Sequence, residues 1–552
     1  MAPYLGTPPD PAPTGHEAFL HAPAFQTFTH PPRLLIIGAG SRGTAYATAA
    51  VQHTNATIGG VCEPISSKRA AFSAKFLQES APGQCFPDWQ TWVAYEEERR
   101  SNAAQGLPTP PGVDAVFVCV LDEQHEAVVC GIAHLGLHVC CEKPLSTRLE
   151  SCVRMYRALR DAGERIRGEG GTEPVFGICH VLRYSPHNML LRHLVREKGV
   201  VGEVLSVEHT EPVGHWHFSH SYVRGNWRKT STSAPSLLTK SCHDIDFLLW
   251  LLCTPLSPTA PPHLPSTISS TGSLKHFRRA RKPRAAGTAT NCLSCAHEPD
   301  CAYSAKRIYV ARHLAQGVTD WPVNVVVPDI EDVYAAQGPA AAEKKLLGAL
   351  AEDWDAATPV GVREGRNWFG RCVWEADNDV VDDQFVTLSW DEDTLAAPSS
   401  AETTTATASA APEDRGPKTA LLHMIAHTHA QCVRRGRIYG TAAELSYDST
   451  TITIHDFASG TTTTHTPYTT PGGHGARGGH GGGDAGLVVQ FLGAVDAVRG
   501  GMGARRAERE WLGCDALEVL RSHAVVFAAE EARAGGRVVE WGPWWAEKVG
   551  DL

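Results

Sequence analysis

A glycine-rich segment near the start of the chain has the spacing of a phosphate-binding turn. It reads Gly38-Ala-Gly-Ser-Arg-Gly43, follows the apolar run 34–37 and precedes an alanine-rich stretch that favours a helix. In such a turn Gly38 permits the tight bend, Gly40 lets the backbone approach a pyrophosphate, and Gly43 lets the helix pack on the strand. The free N–H groups at the helix start favour a phosphate. The residues expected to bind a dinucleotide here are Gly38, Gly40, Ser41, Arg42 and Gly43.

An acidic residue follows at the position that a dinucleotide-binding fold requires. Glu63 ends the next apolar run and lies twenty residues past Gly43, where such folds place a carboxylate on the ribose hydroxyls. This favours NAD over NADP, since a 2′-phosphate would meet a like charge. Ser66, Lys68 and Arg69 could neutralise that phosphate, so NADP stays possible. The alternative to dinucleotide binding is that this glycine turn belongs to some other α/β unit.

Two more apolar runs end in polar residues that could face the same ligand. The predicted strand 114–121 leads to His125, and the predicted strand 138–141 leads to Glu142-Lys-Pro144. Ligands of open α/β sheets bind outside the carboxyl ends of the strands. A lysine placed there can share a proton with an alcohol, whereas a solvated surface lysine is the alternative. The expected cofactor-binding residues in these segments are Leu121, His125, Glu142 and Lys143.

The Glu-Lys-Pro sequence after a strand, together with the glycine turn, resembles the glucose–fructose oxidoreductase / inositol dehydrogenase / MocA-like family. The resemblance implies an α/β Rossmann nucleotide-binding domain and an α+β domain with an open, mostly antiparallel sheet. It also implies that Lys143 and His243 are catalytic: Lys143 reaches a substrate hydroxyl beside the nicotinamide, and His243 is the general acid/base. The family usually has an aspartate where this chain has Thr239, and Lys240 or Asp246 could substitute for it.

Several residues are candidates for contact with a substrate. One helix is predicted over 239–252, with Thr239, His243 and Asp246 on a common face. The segment 214–227 is dense in aromatic and histidine residues, which suits a sugar or polyol pocket as well as ordinary packing. Arg183 lies in the turn after the strand 175–180, and this turn resembles the family's hinge. The alternative to a substrate contact is that Arg183 makes a structural or cofactor-side contact. A flexible linker is the alternative for the glycine-rich stretch 472–483. The candidates are Arg183, His215, Trp227, Lys240 and His480.

A cysteine cluster has spacing typical of a metal site. Cys292 and Cys295 form a Cys-x-x-Cys pair, and Cys301 follows six residues later. A structural zinc would need a fourth ligand, for which His297 and Cys372 are candidates. Reduced thiols or an occasional disulfide are the alternatives.

Length and composition set the domain plan. A chain of 552 residues is too long to form one compact core. We therefore expect a Pro-rich disordered arm over 1–32, a dinucleotide-binding domain over 33–170 and a substrate or oligomerisation domain over 171–552. Insertions are expected near 253–290 and 397–415. Short strands are expected at 323–327 and 385–390.

Charge and cysteine usage restrict partners and location. The net charge of −10 gives no support to nucleic-acid binding, and no apolar run is long enough for a membrane helix. The sixteen cysteines mostly lie singly in apolar runs, as in a reducing cytoplasm. A homo-oligomer is possible.

These features predict an NAD(P)-dependent oxidoreductase that acts on a secondary hydroxyl of a sugar, polyol or related small molecule. The alternatives are an NAD-using glycosidase or lyase with transient oxidation, and a non-catalytic regulator that senses a dinucleotide.

Overall fold

Two β-sheets form the framework of the chain. The computed structural model describes residues 24–77, 83–257, 260–393, 415–468, 480–550 and 552. The predictions for residues 1–23, for nearly all of the insertion at 397–415 and for the linker up to residue 479 lie outside the described residues.

The first sheet has six parallel strands in the order β3-β2-β1-β4-β5-β6. The strand order reverses between β1 and β4, which is where doubly wound folds bind dinucleotides. Its strands are buried because helices cover both faces, and the predicted Rossmann domain is confirmed. Its elements are β1 Arg33–Ile37, α1 Ser41–His53, β2 Thr57–Cys62, α2 Ser66–Phe76, β3 Cys85–Phe86, α3 Trp89–Ala104, β4 Ala115–Val118, α4 His125–Ala133, β5 His138–Cys141, α5 Leu149–Gly168 and β6 Phe176–Ile178.

The first domain differs from its predicted limits at both ends. Strand β6 pairs with β5 in parallel, so the domain extends past the expected boundary at residue 170. Residues 24–32 are part of the fold, since Gln26 bridges to Thr54 and Phe28 is buried. The predicted disordered arm is therefore wrong for these residues.

The second sheet has nine strands in the order β14-β13-β12-β11-β7-β10-β9-β8-β15. Of its pairs, β7 and β10 run parallel and the others antiparallel, which confirms the predicted mostly antiparallel sheet. Burial alternates along β10, so one face packs on the interior. Its strands are β7 Val204–Pro212, β8 Thr267–Ser273, β9 Asp383–Trp390, β10 Lys418–Ile425, β11 Arg435–Gly440, β12 Ala443–Tyr447, β13 Ile452–Asp456, β14 Thr462–His465 and β15 Val539–Glu540.

All residues of helix α9 are buried, which explains its apolar stretch 247–252, while its first two turns contain the polar His243, Asp244 and Asp246. None of the helices in the described residues is both long and apolar enough to cross a membrane. The helices of this domain are α6 Pro186–Arg192, α7 His215–Phe218, α8 Ser236–Thr239, α9 Cys242–Leu252, α10 Val323–Val326, α11 Ile330–Gln337, α12 Pro339–Ala351, α13 Val360–Glu364, α14 Gly483–Arg499, α15 Ala504–Ala507, α16 Ala516–Gly535 and α17 Trp541–Lys548.

Two local predictions are wrong, and a third segment contains an element that was not predicted. The predicted helix 239–252 is broken into α8 and α9, where the Thr239 carbonyl accepts a hydrogen bond from the Lys143 side chain. The predicted strand 323–327 is a helix, because Val323 and Val327, four residues apart, bury one common face. The segment 253–290 contains β8, which pairs with β9 and β15, and its status as an insertion stays a prediction.

A buried acid couples stability to pH. Glu508 lies in a helical turn after α15, is 7% exposed, and accepts a hydrogen bond from the Phe176 backbone N–H at 3.0 Å. Burial raises the pKa of Glu508 to about 8, with smaller contributions from Asp515 and Glu173. The unfolded chain releases this proton near its ordinary pKa of about 4.5, and the folded chain holds it until about pH 8. The free energy of unfolding is therefore expected to fall between these pH values.

Glu508→Gln should remove this pH dependence while keeping an oxygen that accepts from Phe176. At pH 8.5 we expect the variant to be more stable than the parent chain by about 3 kcal/mol, with little difference at pH 4.5. Denaturant unfolding at the two pH values measures this. Glu510→Gln is the control, because Glu510 is an exposed neighbour. Equal pH slopes for the parent chain and Glu508→Gln would rule out a protonated Glu508.

Candidate active site

The glycine turn between β1 and α1 has the geometry of a phosphate cradle. Gly38 has a φ of +97°, and a Cβ there would lie 2.4 Å from the Cys119 carbonyl oxygen. A Cβ on Gly43 would lie 2.0 Å from the Gly38 carbonyl oxygen. Gly40 has open space instead, with no atom of the described residues within 4 Å of its Cβ position. Close packing thus requires two of the glycines, and the third leaves room for a ligand.

The start of α1 is free to bind an anion. Among the described residues, no side chain caps this helix, whose N-cap is Gly40. Ser41, its first residue, is exposed. The N–H groups of the first turn and the helix dipole therefore favour a phosphate above Gly40.

Glu63 lies where β2 ends, beside the glycine turn. One carboxylate oxygen accepts from the Ala39 N–H at 2.9 Å, and the other accepts from the Ile65 N–H at 2.9 Å. These bonds fix the side chain, and each oxygen keeps a lone pair for a ribose hydroxyl. Arg69 donates to the Glu63 backbone carbonyl. The turn, the helix start and Glu63 together fit a dinucleotide such as NAD.

Arg42 connects the glycine turn to two other parts of the site. Its guanidinium donates to Glu142 at 2.8 Å and to both oxygens of Asp484, at 2.8 and 3.0 Å. Tyr46 donates to the same Glu142 oxygen at 2.6 Å. Burial alone would raise the pKa of Glu142, but Arg42 and Lys143 lower it below its usual value. The Arg42 side chain is therefore occupied by protein partners.

Lys143 lies just past β5 and is held at both ends. Its backbone N–H donates to the second Glu142 oxygen at 2.8 Å, and its Nζ donates to the Thr239 carbonyl at 3.0 Å. The Nζ also lies 6.0 Å from the centre of the Trp227 ring. Two of the three ammonium protons stay available for a substrate oxygen.

His125 supports this loop from behind. It is fully buried, with Nδ1 at 2.7 Å from the Pro144 carbonyl oxygen and Nε2 at 3.3 Å from that of Val120. Both ring nitrogens face backbone carbonyls, and the contact of His125 with a cofactor stays a prediction. Leu121 is half exposed in the loop that follows β4, which leaves its side chain open to a ligand.

His243 lies on the first turn of α9, close to Lys143. Burial and the Lys143 charge lower the pKa of His243 well below its usual value, so the ring is neutral. Its Nδ1 lies 3.5 Å from Nδ1 of His180, so Nε2 is the candidate atom for proton transfer. Nε2 of His180 lies 3.7 Å from Asp246. This distance is an electrostatic contact and not a hydrogen bond, and the His180 Nε2 has no hydrogen-bond partner among the described residues.

His180 was missed in the sequence, although its place after β6, at the carboxyl edge of the sheet, was a usable signal. Burial lowers the pKa of His180 to about 3, so it is neutral. Its ring stacks on His523 at 5.1 Å. His523 Nε2 in turn accepts from the Leu145 N–H at 2.8 Å.

Arg183 and Lys240 are engaged with buried acids. Arg183 is 2% exposed and donates to both oxygens of Asp246 at 2.7 Å. This matches the structural alternative for Arg183 and leaves no bond directed to a substrate. The Lys240 Nζ lies 3.1 Å from Glu211 and 2.9 Å from the Cys432 sulfur. Of the two possible substitutes for the family's aspartate, Asp246 is paired with Arg183 and lies 3.7 Å from His180, and Lys240 is paired with Glu211.

Two of the other candidates lie beside Lys143 and His243, and one does not. Trp227 donates its ring N–H to Asp122 at 2.9 Å, next to Lys143. The His480 ring lies 6.4 Å from the His243 ring, and its Nδ1 is 3.0 Å from Asp484. His215 turns away, with its Nδ1 3.3 Å from the Thr428 carbonyl oxygen.

The cysteine cluster does not assemble as a metal centre. In the described ranges, no three His, Cys, Asp or Glu side chains form a group that could hold a metal ion. Cys292 is buried and accepts from Arg224 at 3.4 Å and from the Ala305 N–H at 3.5 Å. Cys295 and Cys301 are free thiols. The geometry therefore gives the predicted zinc no support.

Known proteins resemble both parts of the chain. Residues 33–168 match the GFO_IDH_MocA model, described as an oxidoreductase family with an NAD-binding Rossmann fold. A 2,7-anhydro-N-acetylneuraminate hydratase of Escherichia coli is 25% identical over 217 residues, which is 39% of this chain and 48% of that protein. An inositol 2-dehydrogenase of Saccharopolyspora erythraea is 29% identical over 161 residues, 29% of this chain and 41% of that protein. The matched region thus spans less than half the length of these relatives.

Solved structures show the same overall fold. An inositol dehydrogenase homologue complexed with NAD+ from Azotobacter vinelandii has a TM-score of 0.56 at 14% identity, covering 95% of this chain and 100% of that one. A levoglucosan dehydrogenase with NADH and levoglucosan has a TM-score of 0.53 at 13% identity, covering 94% and 100%. Residues 33–168 are thus similar to the NAD-binding Rossmann domain of the GFO_IDH_MocA oxidoreductase family, and the solved structures show that the fold is shared over most of the chain.

Proposed function

We propose that this protein is an NAD-dependent oxidoreductase that oxidises a secondary hydroxyl of a sugar or polyol, or reduces the corresponding ketone. The observation that carries the proposal is the meeting of Lys143 and a neutral His243 beside the glycine turn. The bound dinucleotide supplies the hydride acceptor. Gly40, the first turn of α1 and Glu63 would hold it.

Proton transfer is assigned to His243. A neutral imidazole whose Nε2 faces the substrate can take the hydroxyl proton as the hydride leaves. The buried Asp246 carboxylate lies 3.7 Å from Nε2 of the neighbouring His180, and its charge favours the positive charge that forms on His243. Lys143 orients the substrate oxygen and stabilises the negative charge that develops on it.

The sugar or polyol class rests on the walls around Lys143. Trp227 offers an aromatic face, and His480 and Asp122 offer polar groups. Such a mixture suits a ligand with apolar C–H faces and many hydroxyls. The cytoplasmic location and the homo-oligomer stay predictions.

The direct test is a substrate panel. The purified chain is incubated with NAD and inositols, anhydrosugars, aldoses and their acids, and NADH formation is followed by absorbance. We expect net NADH formation with at least one member of the panel. Conversion of a glycoside without any NADH accumulation would instead favour the glycosidase or lyase alternative.

Glu63 leads to a prediction about cofactor choice. We expect NAD to bind at least tenfold more tightly than NADP, because a 2′-phosphate would face the buried Glu63 carboxylate. Titration of both dinucleotides, followed by intrinsic fluorescence, measures the ratio. Glu63→Gln should narrow it, since it removes the charge and keeps the size. Equal affinities for the two dinucleotides in the parent chain would contradict this role of Glu63.

A further inference from the structure

A cavity of about 890 Å³ lies apart from the candidate active site. The glycine turn, Lys143 and His243 do not line it. Its walls come from the segments 183–197, 249–257, 260–264 and 506–521, together with Gln490 of α14. The volume is within the range of small-molecule sites. A ligand of metabolite size could therefore enter without touching the candidate active site.

The cavity is rich in arginine. Six arginines and four carboxylates line it, a surplus of two positive charges in a chain whose net charge is −10. Such a local reversal of sign attracts anions by focusing the field in a cleft. The arginines are Arg183, Arg192, Arg196, Arg506, Arg509 and Arg521.

Two of these arginines are already matched by acids. Arg183 pairs with Asp246 and, at 2.8 Å, with Glu518. Arg506 pairs with Glu510 at 2.6 Å. These two contribute to the walls, and their charges are balanced by the protein.

Three other arginines of the cavity have no acidic partner or only an incomplete one. Arg509 and Arg521 form no ion pair within the part of the chain that the structure describes. Arg192 pairs through its terminal nitrogen with Glu197 at 3.5 Å, but its buried Nε has no hydrogen-bond partner there. Burial, with the like charge of Arg196, lowers the pKa of Arg192 to about 10. A buried donor of this kind is costly unless a ligand satisfies it.

We infer that this cavity binds a small organic phosphate at a site separate from the dinucleotide site. A phosphate carries nearly two negative charges, which matches the surplus of the walls. Its three outer oxygens can be shared among several guanidinium groups, the geometry for which arginine is best suited.

The test is a calorimetric titration of ADP into the full-length chain saturated with NAD, so that the dinucleotide site is filled. Arg509→Gln and Arg521→Gln are each expected to weaken ADP binding at least tenfold, since neither residue is buried and neither change should affect folding. Arg505→Gln is the matched control, because Arg505 is exposed nearby and does not line the cavity. Inorganic pyrophosphate should compete with ADP, and added salt should weaken both.

Absence of ADP binding would overturn the inference. So would ADP binding that ignores both substitutions, or ADP that displaces NAD from the chain. These outcomes are independent of any turnover, so a failure of the proposed reaction would leave the result interpretable.

Discussion

Lys143→Met is expected to lower kcat for NAD-dependent oxidation by about 10³-fold, within the range that loss of a positioned proton-sharing group causes. Methionine replaces the side chain by an unbranched apolar one that is one atom shorter, and it has no N–H group to orient or polarise the substrate oxygen. The glycine turn and Glu63 are untouched, so the dissociation constant for NAD should change less than threefold. Steady-state kinetics on a substrate from the panel, with a fluorescence titration of NAD, measures both quantities.

The matched control is Lys75→Met. Lys75 lies on α2 of the same domain and its Nζ contacts Thr48 at 3.3 Å on the exposed surface. This variant should keep the parent kcat. If Lys143→Met also kept it while NAD still bound, Lys143 would have no part in the reaction and the proposed site would be wrong.

Arg183→Met should strongly destabilise the folded chain. Asp246 is fully buried, and removal of its bidentate partner would leave an uncompensated carboxylate inside the protein. Breaking a buried pair in this way costs about 3–5 kcal/mol. We expect a clear fall in the denaturation midpoint, followed by circular dichroism.

A second substitution separates loss of charge balance from loss of packing. Arg183→Met combined with Asp246→Asn removes both charges and should recover a large part of the lost stability. Arg165→Met is the surface control, since its pair with Glu169 is exposed and contributes little. A midpoint for Arg183→Met as high as that of Arg165→Met would show that the buried pair does not stabilise the fold.

The nucleotide-binding domain could be predicted because its sequence motifs are local. The glycine spacing, Glu63 and the polar residues after the strands are each defined within a few positions of an apolar run. The fold then brings them to one edge of the sheet by the rules of parallel strands. The coarse form of the second sheet was also accessible, because alternation along its strands marks one buried face.

The side-chain ion pairs and hydrogen bonds of the site could not be predicted, because the paired residues are far apart in the chain. Arg183 and Asp246 are 63 positions apart, and Arg42 and Asp484 are 442 apart. The break after α8 has the same origin, since it depends on a bond from Lys143, 96 residues earlier. Local propensity contains no information on such contacts, and tertiary contacts override it.

The contacts of Arg42 with Glu142 and Asp484 change how experiments on the glycine turn should be interpreted. Arg42 stands in the segment that defines dinucleotide binding, yet its guanidinium joins Glu142, which bonds the Lys143 backbone, to Asp484, which lies 3.0 Å from His480. A substitution of Arg42 would therefore disturb proton transfer and substrate contact along with the cofactor. A loss of turnover in that variant is no measure of NAD affinity, and the two must be separated by direct binding.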